Sequence, residues 1–316
     1  MVRQPLKIPL PTGDTLHLLR LCGNPRGPVV FMLHGAIESG RIFYSDSGKG
    51  LAPYLASHGF DVYVADLRGR GESAPAIGRG SRFGQTEAIV EDIPALVEAI
   101  VKLRGPVPQQ WVAHSWGGII LSSVLARFPR YLETVNSLVY FGSKRTVRAR
   151  NLERLVKVDL IWNGICHLVT AVAGYLPARR LGIGSESETR KSHWQSSEWV
   201  RKDAWVDSDD GFDYGTAIGK VKLPPAWYLA GKNDRALGHP EDVRRFMESA
   251  GRQPSCYTIL AKENGYLHDY GHIDMLTHPD AVRDHFPQVL EWLRQHAGGK
   301  AESPSPGLRP PFPLPD

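Results

Sequence analysis

Cysteine is scarce in this chain: Cys22, Cys166 and Cys256 are the only three among 316 residues. Their odd number and wide separation exclude a disulfide framework and offer no metal-ligand spacing, so buried free thiols in a reducing compartment are expected. The amino end, Met1-Val2-Arg3-Gln4-Pro5, lacks the apolar core of a signal peptide, which points to a cytoplasmic location. Long apolar runs are missing as well. The best stretch, Leu160 to Leu176, is broken by Asn163, Gly164 and His167 and is shorter than the roughly 20 residues a spanning helix needs. It reads as a helix over a soluble core, with no transmembrane segment. No internal repeat is present, and charge of one sign does not dominate. The 38 Lys and Arg stand against 33 Asp and Glu, a net +5, and no binding motif accompanies them. A nucleic-acid partner is therefore not expected. The densest basic cluster, Lys144, Arg145, Arg148, Arg150, Arg154 and Lys157, reads as a solvated helix face. Attraction to acidic lipid or a charged substrate, and so peripheral membrane contact, is its alternative reading.

What is present is an alternation of buried strands and helices. Residues 1 to 26 read as an antiparallel hairpin turning at Pro11-Thr12-Gly13-Asp14. Val29-Val30-Phe31-Met32-Leu33 and Phe60 to Ala65 are continuous apolar runs, as expected of strands buried on both faces of a parallel sheet. Thr86 to Leu103 keeps helical spacing through Ile89, Ile93, Leu96, Val97 and Ile100, with Pro94 marking a kink or a late start. Alternation stops after Phe141 and resumes at Pro224, ending in a helix around Asp280 to Gln295. The chain thus divides into a core over 1–142, an inserted helical cap over 143–223, the rest of the core over 224–297, and a Pro-rich disordered tail over 298–316. The fold class is α/β, a mostly parallel central sheet flanked by helices.

Within that frame, Ala113-His114-Ser115-Trp116-Gly117 sits between a strand ending at Ala113 and a helix beginning at Gly117. Small residues two before and two after a serine permit the tight elbow that lifts its hydroxyl above a sheet edge. Four more polar segments follow strand ends, where ligand sites gather in open α/β sheets: His34-Gly35-Ala36, Asp66 to Ser73, Gly231 to Asp234, and Gly271-His272. With these five ordered motifs, roughly residues 27 to 296 resemble the α/β-hydrolases. More loosely, His34 through Leu51 and Gly271 to Asp274 resemble bacterial relatives of the acid and gastric lipases.

The resemblance implies a nucleophile, Ser115, a general base, His272, and an orienting acid, Asp234, in the chain order this fold uses. Backbone N–H groups of Ala36 and Trp116 would form the oxyanion hole. No cofactor and no metal are required. The alternatives are His268, His278 and His285 for the base, and Asp269 and Asp274 for the acid. Asp66 and Arg68 read as a structural turn, with the arginine bonded to backbone. His34 reads as an orienting residue, and the side chains of His114 and Trp116 as either core or pocket. The expected substrate is a small-molecule or lipid-like carboxylic ester, cleaved through an acyl-enzyme. An acyltransferase, thioesterase or C–C hydrolase would use the same parts, as would a ligand-binding receptor on this scaffold. An epoxide or haloalkane hydrolase would need a carboxylate where Ser115 stands.

Overall fold

The computed structural model describes residues 1–251 and 253–298. Beyond Gly298, the expected Pro-rich tail lies outside the described residues. Six strands come before the insertion: β1 Val2–Pro9, β2 Thr15–Cys22, β3 Val29–Leu33, β4 Asp61–Asp66, β5 Gln109–His114 and β6 Val135–Phe141. Within the insertion a two-residue ladder pairs β7 Tyr175–Leu176 with β8 Glu188–Thr189, and β9 Ala226–Gly231 and β10 Ser255–Leu260 come after it. The eight longer strands form one sheet in the order β1-β2-β4-β3-β5-β6-β9-β10. β2 pairs antiparallel with β1 and β4, and the other pairings are parallel. The hairpin is longer than the turn alone suggests, with Leu6 opposite Leu18 and Ile8 opposite Leu16.

The sheet is mostly parallel because helices cover both its faces, and its middle strands are buried end to end. Period-2 alternation divides the core between the two sides. Helices α1 Leu51–Ser57 and α2 over 85–104 precede α3, Trp116–Arg127. Phe31, Trp111 and Tyr140 pack on one face with α3, which adds Ile119 and Leu121. Met32, Val112 and Phe141 pack on the other with Leu55, Leu290 and Leu293. The long helix after β4 is continuous over 85–104 but has one widened turn, Ala88–Asp92, just before Pro94. Proline has no N–H to give the carbonyl four residues back, so the turn loosens there and the helix carries on. The last helix begins later than its pattern implies: Pro279–Arg283 forms a separate 3₁₀ turn ahead of Phe286–Gln295. Of the cysteines, Cys22 and Cys166 are buried, but Cys256 is exposed because β10 is a sheet edge.

The insertion between β6 and β9 carries helices Leu152–Ala173, Ala178–Leu181, Arg190–Arg201 and Tyr214–Ile218. Its basic cluster is not one helix face. Lys144 is buried, Arg145 donates to the carbonyls of Trp199, Lys202 and Asp203, and Arg148 pairs with Asp203; all three precede the first helix.

The Asp66-to-Ser73 turn shows why polar residues are buried beside the sheet. Asp66 accepts from the backbone N–H of Gly40 (2.7 Å) and Glu72 (3.1 Å) and from His17 Nδ1 (2.7 Å). Gly71, at φ +55°, lies so close that a Cβ there would stand 2.3 Å from the Asp66 carboxyl carbon. Arg68 does not bond to backbone as expected. Its guanidinium meets Asp92 (2.7 Å), Glu91 (2.6 Å) and Asp14 (3.3 Å), pinning the turn to the 85–104 helix and the first hairpin. Arg68 and Asp92 are both nearly fully buried. Arg68→Ala is expected to destabilise the fold by roughly 3–5 kcal/mol, because it strands the Asp92 charge in the interior. The midpoint of urea unfolding checks this; a shift worth less than about 1 kcal/mol would refute it.

Candidate active site

Ser115 occupies the elbow between β5 and α3 with φ 50° and ψ −121°. Its N–H donates to Phe141 O (2.7 Å), which ties the elbow to the end of β6. The close approach of strand and helix is measurable at Gly117, where a Cβ would stand 2.5 Å from His34 O. Two non-glycine residues with positive φ occur among the described residues, Ser115 and Ile37, and both line one cavity. Strain of this kind costs about 1–3 kcal/mol per residue and persists only where the surroundings enforce it.

Asp234 lies just past β9 and His272 in the loop past β10, and the two loops are stitched together. Asn233 N donates to Tyr270 O (2.8 Å), and its Nδ2 donates to Asp269 O (2.8 Å). Gly231 allows the crossing, since a Cβ there would collide with Tyr270 O at 2.4 Å. These constraints carry three residues distant in sequence into line. His272 Nε2 is 2.9 Å from Ser115 Oγ, and His272 Nδ1 is 2.5 Å from Asp234 Oδ2. Asp234 Oδ1 also accepts from Leu237 N (2.9 Å).

The other candidates lie elsewhere. His268 pairs with Asp280 (2.8 Å), His278 caps the 3₁₀ turn at Asp280 N (3.1 Å), and buried His285 meets Met275 O (2.6 Å). Asp269 accepts from Lys262 N (2.8 Å) and Asp274 from Gly271 N, so neither bonds the His272 ring. His34 gives its Nδ1–H to Gly35 O (2.8 Å) and accepts Leu67 N–H at Nε2 (3.1 Å), bracing the loop that carries Ala36. The Trp116 ring is buried and donates to Gln85 Oε1 (2.9 Å). The backbone N–H groups of Ala36 and Trp116 have no acceptor among the described residues.

One pair escaped the sequence reading. His114 is buried with its Nδ1 2.6 Å from Glu38 Oε1 and its Nε2 2.9 Å from His272 O. Both ring nitrogens therefore face acceptors, an arrangement that only the doubly protonated ring satisfies. Burial opposes that charge, but the Glu38 carboxylate outweighs it and raises His114 above an ordinary histidine. The only signal in the sequence was position: His114 adjoins the serine, and Glu38 follows His34-Gly35 closely.

His272 shifts the other way. Burial lowers it most, Asp234 works against this, and the neighbouring His114 and Lys144 charges lower it further. For Asp234, burial alone would raise the carboxyl, but His272, the Gly238 backbone and Lys144 bring it down to about 2. The site at neutral pH thus holds a neutral imidazole between a hydroxyl and a carboxylate. Around it lies a cavity of about 630 Å³, floored by Ala36, Ser115, Trp116 and His272. Its walls are mostly apolar and come largely from the insertion, including Val158, Trp162, Ile183 and Val200.

Residues 23–209 match the hydrolase family described as serine aminopeptidase, S33. The chain belongs to that family. Consistent with this membership, solved structures of the same fold align over nearly the whole chain. An esterase from Exiguobacterium antarcticum has a TM-score of 0.61 at 17% identity, covering 92% of this chain and 100% of that one. The α/β hydrolase GrgF from Penicillium sp. gives 0.61 at 18% identity, covering 94% and 99%. DcsB, solved with a substrate analogue, gives 0.63 at 17% identity, covering 93% and 100%. In sequence, Lipase 3 of Drosophila melanogaster is 26% identical over 127 residues, 36% of this chain and 31% of that protein. The match thus spans about a third of the length of that curated relative.

The opposite shifts of the two histidines can be resolved by imidazole NMR titration. His272 should titrate below the ordinary value near 6.5 and His114 above it. Asp234→Asn should lower His272 further, and Glu38→Gln should lower His114, since burial is then opposed only by the His272 carbonyl and the Asp234 charge. A single shared midpoint for both rings would contradict this charge arrangement.

Proposed function

We propose that this family member is a serine hydrolase of carboxylic esters whose acyl chain lies against the apolar walls of the cavity. The supporting observation is the Ser115–His272–Asp234 line, with its 2.9 Å and 2.5 Å contacts. His272 takes the Ser115 proton as Oγ attacks the ester carbonyl. Asp234 holds the tautomer and stabilises the imidazolium. The tetrahedral oxyanion is received by the N–H groups of Ala36 and Trp116, each such donor typically contributing about 3–4 kcal/mol in the transition state. Protonated His272 returns its proton to the departing alcohol, leaving an acyl-Ser115. Water, deprotonated by the same imidazole, then releases the acid and restores the serine. Enforced strain at Ser115 keeps its Oγ toward the cavity, and the insertion acts as a cap that excludes bulk water and selects the acyl group.

An ester is favoured over a peptide with a free amino terminus by the ionic groups in the cavity. Holding a substrate ammonium requires an available carboxylate, and Glu38 is committed to His114 and to Gly35 N–H. Esterase activity in the Exiguobacterium neighbour and the lipase name of the fly relative agree with this preference.

The substrate is presented at an anionic lipid surface. The helix expected over Leu160 to Leu176 in fact runs Leu152–Ala173, and only 17% of its most apolar window is buried. Leu152, Val156, Leu160, Ile165, Leu168 and Val172 are 39–74% exposed and recur at helical spacing. The opposite side is pinned to the protein through buried Val158, Cys166 and Thr170, so the helix lies on a membrane and does not cross it. Between residues 148 and 183, six basic side chains accompany two acidic ones, the charge complement of acidic headgroups.

Ser115→Ala should reduce turnover of p-nitrophenyl esters by about 10⁴-fold or more and abolish fluorophosphonate labelling. Undiminished turnover would refute the assignment. Separately, co-sedimentation with vesicles containing phosphatidylglycerol should exceed that with pure phosphatidylcholine, and Leu160→Asp with Leu168→Asp should remove most of it. Equal binding by the parent and the double variant would overturn the surface reading.

A further inference from the structure

Lys144 has no role in the chemistry above, yet it lines the same cavity as Ser115 and His272. It follows the end of β6, two residues beyond Gly142, whose backbone packs against the His272 ring at about 3.0 Å from a Cβ position. The residue is only 8% exposed. Among the described residues its ammonium has neither a hydrogen-bond nor an ion-pair partner, whereas the other cations lining the cavity are engaged. Arg41 pairs with Asp46 (2.9 Å), and Lys157 pairs with Glu153.

The carboxylates nearest in the field of Lys144 are Asp234, Asp242 and Glu38, and none bonds to it. Asp234 is bound by His272 and Leu237 N. Asp242 accepts from Arg148 N, Ala149 N and Arg245. Glu38 is bound by His114 and Gly35 N. A buried ammonium left unsatisfied by the protein is unfavourable, and burial accordingly lowers the proton affinity of Lys144. No group of the polypeptide satisfies it among the described residues, so an anion entering the cavity would meet an unpaired charge.

We infer that Lys144 binds a carboxylate carried by the substrate, so that the preferred esters are half-esters of dicarboxylic acids or similarly acidic amphiphiles. The inference rests on the ester-hydrolase reading, because it places the carboxylate in the acyl cavity beside Ser115. A carboxylate suits the site better than a phosphate dianion. One ammonium in mostly apolar walls neutralises one charge, and the remaining cations are already paired.

The test measures binding by full-length Ser115→Ala protein, which holds substrates without consuming them. Monomethyl esters of dicarboxylic acids with four to eight carbons are titrated beside simple methyl esters of equal chain length. Monomethyl alkylphosphates form a third arm. The best half-ester should bind at least tenfold more tightly than its neutral counterpart, and more tightly than the phosphates. Lys144→Met in the same background should erase that ratio, and Lys144→Arg should retain part of it. Equal affinity for half-ester and neutral ester in the Ser115→Ala protein overturns the inference without recourse to any Lys144 variant. Preference for the phosphate arm overturns the carboxylate assignment. Failure of the catalytic reading is distinguishable, since it would appear as ester turnover surviving Ser115→Ala, whereas this inference fails on the binding ratio alone.

Discussion

The near-contact of β5 and α3 around Ser115 is the constraint from which the site follows. A residue at φ 50° and ψ −121° is held against its own preference, and the hold comes from both directions. Phe141 O fixes the serine N–H, and Gly117 allows the helix to lie against His34 O. Any larger residue at Gly117 would push α3 away from β3, moving the hydroxyl out of line with the loop that bears His272. The strained elbow therefore depends on the buried parallel strands that hold it.

Charge is distributed with similar economy. Three buried carboxylates, Glu38, Asp66 and Asp234, sit at the carboxyl edge of the sheet, and each has a histidine on it: His114, His17 and His272. The pairings differ in their second contacts. His114 faces acceptors on both sides and is driven towards the charged form. His272 faces a hydroxyl on one side, lies 4.7 Å from the His114 ring, and is driven towards the neutral form. The same two residue types thus yield one ring biased towards the cation and one proton acceptor, according to what the far nitrogen meets.

Much of this was legible in the chain. Continuous apolar runs such as Val29 to Leu33 announce strands covered on both faces, and Gly-flanked polar residues after such runs mark the functional edge. Ser115, Asp234 and His272 could be named because each follows a strand in the order that the resemblance to the α/β-hydrolases implies, and the structure brings them within hydrogen-bond reach. Other features were not legible. Arg68 takes carboxylates from two elements where a backbone partner was expected, because Asp92 and Asp14 reach it only after the helix and hairpin have docked. Lys144 and Arg145 looked like members of an exposed basic face. The burial of Lys144 and the carbonyl contacts of Arg145 depend on how the insertion folds back, and local spacing holds no record of that. The start of the helix at 152–173 was missed because Glu153, Arg154, Lys157 and Asp159 interrupt its hydropathy without interrupting its backbone.

By itself, the sequence determined the order of strands and helices and the small residues at the elbow, because these depend on periodicity and on side-chain type; the serine, acid and imidazole were named through the resemblance to the α/β-hydrolases. Tertiary structure alone decided which histidine is biased towards the charged form, which carboxylates are already engaged, and that a lone ammonium faces the cavity. Proton affinity and ion pairing depend on distance and burial, and those quantities exist only once residues far apart along the chain have been brought together.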